Sequence, residues 1–281
     1  MKLTKVFAKK HQEAKEILKK DVLTLEDKYF VLENYNEGGE CNNKFHSAHF
    51  TPLELANDFK LEIYGNNILD LCAGIGILSF SYLHHLNHGD DKINIVCVEL
   101  NPEYVAVGRK ILPEATWICG DVFSSEIQAL LKEMNFSCVI SNPPFGNFSM
   151  RGNIAPRYTG KLFEYALIDI ASDLAEYGAF IIPQNSSPFL YSGERLFQDC
   201  MNINYEKDKT GQLESNKKKY LVLNQETGID LTFGVGIDCS MYKDDWKGVK
   251  PSCEIVTCEF SALQEKRKEK TQLIQIDLFA A

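Results

Sequence analysis

The residues best suited to chemistry are Asn142, Pro143, Pro144 and Phe145, which directly follow an apolar, strand-like run. Tandem prolines stiffen the loop and remove two N–H donors, so its carbonyls stay free to accept hydrogen bonds. An exocyclic amino or amide nitrogen is a poor nucleophile because its lone pair is delocalised. The Asn142 side-chain oxygen and the Pro143 carbonyl can accept its two protons and turn the lone pair towards an electrophile, while Phe145 can stack on the planar group. The four residues therefore predict a catalytic site that acts on such a nitrogen.

A turn with two glycines predicts a binding site for a cofactor. Asp70, Cys72, Gly74 and Gly76 lie between an apolar run and a helical stretch. Glycine lets the backbone approach a ligand closely, and the carboxyl ends of strands in an open sheet form the natural crevice. Ser79 stands where the dinucleotide fingerprint has its third glycine, which disfavours NAD.

Two further strand ends carry acidic residues. Glu99 and Leu100 follow the next apolar run, where a carboxylate can bind both ribose hydroxyls of a nucleoside. Asp121, Val122 and Phe123 follow the third run and offer an acceptor for an adenine amino group beside an aromatic ring. Together with the glycine turn, these residues predict a nucleoside-containing cofactor.

The elements that must position these residues alternate regularly along the chain. Apolar runs at residues 68–71, 93–98, 116–119, 137–141 and 179–182 alternate with helical stretches at 76–87, 102–112, 124–134 and 161–177. This βαβ pattern predicts a parallel sheet with helices on both faces. Two later segments, 229–241 and 254–260, are expected to close the sheet, and residues 5–20 and 194–201 are expected to be helical.

The order of the motifs resembles the S-adenosylmethionine-dependent methyltransferases of the Rossmann-like class, and among them the amino-methyltransferases with an (N/D)PP(Y/F) loop. The resemblance covers roughly residues 45–260 and includes Phe163, Glu164 and Tyr165 on the helix after the loop. It implies an α/β class I methyltransferase fold: a mostly parallel seven-stranded sheet with a reversed last strand and helices on both faces. The cofactor contacts that it implies are Asp70, Cys72, Gly74 and Gly76 at the methionine part, Glu99 and Leu100 at the ribose, and Asp121, Val122 and Phe123 at the adenine.

Phe50, Thr51 and Pro52 extend the resemblance to one subgroup of these enzymes. They are similar to the FTP segment of bacterial DNA adenine-N6 methyltransferases, where it precedes the glycine loop and closes over the cofactor. An ordinary helix start, with Thr51 as the cap and Pro52 as the first helical residue, is the alternative interpretation. The resemblance implies methyl transfer from S-adenosylmethionine to the N6 amino group of adenine in DNA, without a metal ion or a covalent intermediate. Whether a restriction-modification partner exists stays open.

Other activities fit the same loop. An RNA adenine or guanine N-methyltransferase would use the same chemistry, and the short candidate recognition loops, 146–160 and 203–228, favour it somewhat. A protein glutamine N-methyltransferase fits less well, because such chains usually carry a larger N-terminal helical domain. Cytosine N4 is an alternative target atom, and a non-catalytic, clamp-associated accessory protein is the alternative without turnover.

The resemblance divides the chain into an N-terminal helical extension (1–45), a catalytic domain (46–262) and a flexible tail (263–281). The tail contains Gln275, Asp277, Leu278 and Phe279, which resemble the peptide by which bacterial proteins dock on the DNA polymerase sliding clamp. Such a tether would raise the effective concentration of a weakly binding enzyme at DNA.

Composition and charge limit the classes of protein to which the chain can belong. The 281-residue chain is 44% hydrophobic and lacks an apolar run long enough to cross a membrane, so we expect a cytoplasmic protein. Its nine cysteines form no CxxC pair and are expected to be reduced packing residues. The net charge of −9 argues against nucleic-acid binding by charge alone, although Lys and Arg concentrate in residues 1–20, 207–219 and 264–270. Weak intrinsic affinity through local basic patches is therefore predicted.

Overall fold

The computed structural model describes residues 5–36, 49–85, 92–146, 155–203 and 210–280, with side chains as far as residue 270. The strands are β1 (Asn67–Leu71), β2 (Asn94–Glu99), β3 (Thr116–Cys119), β4 (Phe136–Ser141), β5 (Ala175–Pro183), β6 (Phe189–Leu190), β7 (Gln198–Asp199), β8 (Thr232–Phe233) and β9 (Cys253–Glu259). The helices are α1 (Lys5–Ile17), α2 (Leu25–Asn34), α3 (Leu53–Phe59), α4 (Ile77–His85), α5 (Pro102–Ile111), α6 (Ser125–Lys132), α7 (Phe163–Ala171), α8 (Gln212–Thr227) and α9 (Ser261–Ala280).

Seven of the strands form one sheet in the order β3-β2-β1-β4-β5-β9-β8. Strands β1 to β5 are parallel, whereas β9 runs antiparallel to both of its neighbours, β5 and β8. Two buried apolar clusters cover the sheet, as expected when helices pack on both faces. The predicted fold class is confirmed, including the reversed last strand.

Local signals set several helix starts. The Asn101 side chain accepts a hydrogen bond from the Glu103 N–H, and Pro102 is the first residue of α5. The Ser124 side chain accepts from the Ile127 N–H at the start of α6. Both caps satisfy N–H groups that have no partner within the helix, so these boundaries follow from the sequence.

Strand β5 starts earlier than predicted. The helix expected over residues 161–177 ends at Ala171, and Gly178, which directly follows that predicted stretch, lies inside β5. A Cβ on Gly178 would lie 2.5 Å from the Phe180 ring and 2.8 Å from the Phe260 ring. The glycine is therefore needed for close packing, because β5 is paired on both edges and covered by aromatic side chains.

Three other predictions of local structure were wrong. Residues 194–201, expected to be helical, contain β7 and part of a 3-10 turn, and Phe197 packs on Phe189 and Phe233. The candidate loop 203–228 contains the sixteen-residue helix α8, bounded by Gly211 and Gly228 in the left-handed conformation. Tertiary packing and glycine caps overrode weak periodic patterns in these two segments. Of residues 229–241, expected to form a strand, only β8 (Thr232–Phe233) is one, and a 3-10 helix starts at Cys239.

The C-terminal segment is not a flexible tail at its start. Gln264 donates hydrogen bonds to the Ser172 and Ala175 carbonyls, and Arg267 donates to the Thr227 carbonyl. These contacts dock the first turns of α9 against the ends of α7 and α8 and the start of β5. The backbone of the clamp-like peptide lies in α9, but its side chains lie outside the described residues. Within the described chain, no helix combines the length and apolar character needed to span a membrane.

Candidate active site

The predicted site residues meet where the adjacent strands β3, β2, β1 and β4 end. Hydrogen bonds join the loops that follow them: the Ala73 N–H donates to the Val98 carbonyl (3.0 Å), and the Gly120 N–H donates to the Glu99 carbonyl (3.0 Å). The Ser141 hydroxyl donates to the Leu71 carbonyl at 2.5 Å. The sheet therefore brings the four motif-bearing loops together at one edge.

The glycine turn has a backbone that only glycine adopts easily at two positions. Gly74 and Gly76 have φ of +57° and +86°, and Cys72 between β1 and this turn has φ of +58°. A Cβ on Gly74 would lie 3.0 Å from the Phe50 ring, and one on Gly76 would lie 3.0 Å from the Trp117 ring. Both conformation and close packing thus require the glycines.

A pocket lies between the glycine turn and the residues before α3. It opens to solvent and is lined by residues 49–51, Asp70, residues 72–75, Ile77, Leu78 and Asn142. Most residues predicted to contact the methionine part thus lie at one cavity, together with Asn142, the predicted catalytic residue. Pro52 is the N-cap of α3 and does not line the pocket, and no side chain caps that helix. The alternative interpretation of Thr51 as a helix cap is therefore wrong.

Asp70 is buried at the base of this pocket. Its exposed fraction is 1%, and the Ser79 hydroxyl donates a 2.6 Å hydrogen bond to its Oδ2 atom. Burial raises the pKa of Asp70 to about 7, although the hydrogen bond from Ser79 opposes this shift. Ser79, which replaces a fingerprint glycine, thus has a role in the site as the partner of Asp70.

Glu99 joins two of the loops. Its Oε2 atom accepts from the Gly74 N–H at 2.9 Å, and its Oε1 atom accepts from the Asn101 N–H at 2.7 Å. Burial raises the pKa of Glu99, while these backbone donors lower it. Each oxygen has a second acceptor position, so the carboxylate can hold the loops and bind a diol together. Leu100 beside it is 45% exposed.

The third loop offers an acidic and aromatic edge. The Asp121 carboxylate is exposed and accepts from the Phe123 N–H at 2.9 Å, and Val122 is buried. The Phe123 ring contacts the Phe163 ring edge to face, with centroids 5.1 Å apart. The sequence marks Phe163 only by its place in the motif order, because its contact with Phe123 arises from tertiary structure.

The catalytic candidates follow β4 directly. The Asn142 Nδ2 atom donates to the His49 carbonyl at 3.1 Å and to the Thr51 hydroxyl at 2.9 Å. Pro143 is buried, while Pro144 and Phe145 are half-buried, and Phe145 packs on the core. Because both amide N–H groups are bound, the side-chain oxygen of Asn142 is the group that remains to accept a hydrogen bond. The contribution of His49 comes from its backbone carbonyl, which carries no sequence signal.

Comparison with known proteins finds one matching family model and several solved structures with a similar fold. Residues 53–185 match the methyltransferase small domain family. The fold is that of a class I methyltransferase. The family match and the fold together support an enzyme that takes S-adenosylmethionine as its cofactor. Among the described residues, no cluster of three or more His, Cys, Asp or Glu side chains is placed to hold a metal ion.

Solved structures share the fold at low sequence identity. The methyltransferase subunit of a type I restriction-modification system from Streptococcus thermophilus is 15% identical with a TM-score of 0.51; the match covers 87% of this chain and 52% of that one. A Pyrococcus horikoshii protein assigned as an RNA methyltransferase is 17% identical with a TM-score of 0.44, covering 78% and 91%. Aeropyrum pernix fibrillarin with natively bound S-adenosylmethionine is 12% identical with a TM-score of 0.39, covering 69% and 66%. No curated protein sequence matches this chain.

Proposed function

We propose that this methyltransferase transfers the methyl group of S-adenosylmethionine to the N6 amino group of adenine in DNA. The fixed amide of Asn142 carries the proposal. Its N–H groups are bound by the His49 carbonyl and the Thr51 hydroxyl, so its oxygen is left as an acceptor beside the carbonyl of Pro143. Two acceptors match the two N–H groups of an exocyclic amine.

The loop activates the amine by orientation. The cofactor supplies an electrophilic methyl group on a sulfonium. The Asn142 oxygen and the Pro143 carbonyl accept the two amino protons and aim the nitrogen lone pair out of the ring plane, while Phe145 stacks on the base. Transfer would replace the S–C bond of the cofactor with a new N–C bond, and the surplus proton of the nitrogen would then be released to solvent. The stiff proline backbone keeps both acceptors in place during the transfer.

The strand-end residues fit the cofactor. Glu99 has acceptor positions for the two ribose hydroxyls, and Asp121 has an oxygen for the adenine amino group beside the Phe123 and Phe163 rings. The pocket at the glycine turn would take the methionine part, with Asp70 facing its ammonium group. The buried carboxyl of Asp70, the diol acceptor Glu99 and the aromatic rings thus occur in the order of the methionine, ribose and adenine parts of S-adenosylmethionine.

Asp70 should make cofactor affinity depend on pH. Burial raises the pKa of Asp70 to about 7, so at pH 6 the carboxyl is mostly protonated and cannot pair with the ammonium group. We expect the Kd for S-adenosylmethionine to fall about tenfold between pH 6 and pH 7.5, measured by calorimetry, and to stay flat in Asp70→Asn. An unchanged pH dependence in the variant would contradict the assignment.

The raised pKa of Asp70 can also be tested without cofactor, through the pH dependence of protein stability. A pKa raised in the folded state means that the folded protein binds the extra proton, so this group lowers stability as pH rises from about 4 to about 7. Asp70→Asn removes that loss. The difference in melting temperature, variant minus wild type, should therefore be larger at pH 8 than at pH 5.

DNA is favoured as the substrate by the segment before α3. Phe50, Thr51 and Pro52 carry the resemblance to DNA adenine-N6 methyltransferases, and this segment contacts both the glycine turn and Asn142. A target base in duplex DNA would have to flip out of the stack to reach Phe145. The net charge of −9 predicts that binding is weak and decreases with salt.

Nucleoside mass spectrometry tests the proposal. DNA and RNA from cells that express the wild type, Asn142→Ala or the control Asn94→Ala are digested and compared. Asn94 is exposed at the amino end of β2, the sheet edge opposite the site. N6-methyladenine should rise in DNA with the wild type and the control and be absent with Asn142→Ala. A rise only in RNA, only in N4-methylcytosine, or in no nucleoside would refute the proposal.

A further inference from the structure

The hydroxyl of Thr51 has an unexpected use. Thr51 is 5% exposed and stands just before α3, yet it caps no helix. Its Oγ1 atom instead accepts a 2.9 Å hydrogen bond from the Asn142 Nδ2 atom, across a separation of 91 residues. A residue expected at the cofactor thus contacts the catalytic side chain directly.

The orientation of the Asn142 amide decides whether the loop can work. An asparagine side chain has a donating nitrogen and an accepting oxygen at nearly the same distance from the backbone, and only its neighbours determine which faces the substrate. With the nitrogen turned to the substrate, its N–H groups would oppose those of the amine. The His49 carbonyl and the Thr51 hydroxyl hold the nitrogen on the opposite side.

We propose that Thr51 is a positioning residue for methyl transfer. The His49 carbonyl, which can only accept, selects the amide orientation of Asn142, and the Thr51 hydroxyl oxygen holds the amide there as the second acceptor. The kinetic part of this inference rests on the proposed function. The predicted role of Thr51 in cofactor binding is a different one, and the two roles affect different constants. Loss of positioning lowers kcat at saturating cofactor, whereas loss of a cofactor contact raises the Kd for S-adenosylmethionine.

Thr51→Val and Thr51→Ser separate the two roles. Valine keeps the shape and removes the acceptor, so kcat should fall about 10- to 100-fold, as for other partners that orient a functional group, with the cofactor Kd within about threefold of wild type. Serine keeps the hydroxyl and should restore most of kcat. Ser81→Ala is the matched control, because it removes another buried hydroxyl, one that donates to Asn57 Oδ1 at 2.8 Å. Its kcat should equal that of wild type.

Hydrogen exchange of the Asn142 amide tests the role of Thr51 without requiring methyl transfer, so this test does not depend on the proposed function. The Asn142 side-chain amide protons should exchange slowly with solvent in wild type and Thr51→Ser, and several-fold faster in Thr51→Val, as read by NMR. Unchanged exchange, or a raised cofactor Kd with unchanged kcat, would overturn the positioning role. Absence of methylation by wild type on every nucleic acid would refute the proposed function, while the exchange rates would still decide the role of Thr51.

Discussion

Replacing Asn142 with alanine is expected to lower kcat for methyl transfer by about 100- to 1000-fold, the usual effect of removing one hydrogen-bonding group at a reacting centre. In the proposed mechanism the side chain supplies one of two acceptors for the target amine, and the Pro143 carbonyl cannot replace it. Since the proposal places Asn142 at the substrate amine and not at the reactive part of the cofactor, the Kd for S-adenosylmethionine should stay within about threefold of wild type. Steady-state transfer of a labelled methyl group to an adenine-containing oligonucleotide, with both substrates saturating, measures kcat.

A second substitution at Asn142 refines this result. Asn142→Asp keeps oxygen acceptors but cannot donate to the His49 carbonyl or the Thr51 hydroxyl. Its kcat should lie between those of wild type and Asn142→Ala. Asn94→Ala, which changes an exposed asparagine at the opposite edge of the sheet, should retain the wild-type kcat. Wild-type turnover by Asn142→Ala would rule out this loop as the catalytic site.

Replacing Glu99 with alanine is expected to raise the Kd for S-adenosylmethionine by about 100-fold, because two hydrogen bonds to a charged group each contribute about 1.5–3 kcal/mol, part of which solvent restores. The variant also leaves the Gly74 and Asn101 N–H groups without their carboxylate acceptor. The glycine turn should therefore loosen, and the melting temperature should fall. Calorimetric titration with S-adenosylmethionine gives the Kd.

Two variants control for charge and location. Glu103→Ala removes an exposed carboxylate in the first turn of α5, four residues from Glu99, and should leave the cofactor Kd unchanged. Glu99→Gln retains one acceptor oxygen without the charge and should bind with intermediate affinity. Equal Kd values for Glu99→Ala and Glu103→Ala would show that Glu99 does not bind the ribose.

The sequence predicts the first half of the sheet closely. The apolar runs at 68–71 and 137–141 differ by one residue from β1 (Asn67–Leu71) and β4 (Phe136–Ser141). Strands buried on both faces need continuous apolar runs, which are visible in the sequence. Cap residues such as Asn101 mark the position at which a helix begins. These signals are local, so the chain alone carries them.

The second half depends on contacts between distant residues. Gly178 lies inside β5 because Phe180 and Phe260 pack over it, and Phe197 joins a cluster with Phe189 and Phe233 in place of a helix. A propensity-based prediction has no access to such neighbours. The same limit explains why α8 was missed, since its boundaries depend on glycines in the left-handed conformation and its lysine-rich sequence lacks a strong apolar period.

The sequence by itself determined which groups are available: two acceptors and an aromatic ring on the Asn142 to Phe145 loop, glycines at a strand end, and acids at the next two strand ends. Only the tertiary structure decided how they can act. The pKa of Asp70 rises because the fold buries it, and the Asn142 amide is fixed because His49 and Thr51, more than 90 residues earlier in the chain, lie beside it. Burial and long-range hydrogen bonds exist only after the chain has packed, so the identity of a catalytic residue precedes folding whereas its orientation and charge follow from it.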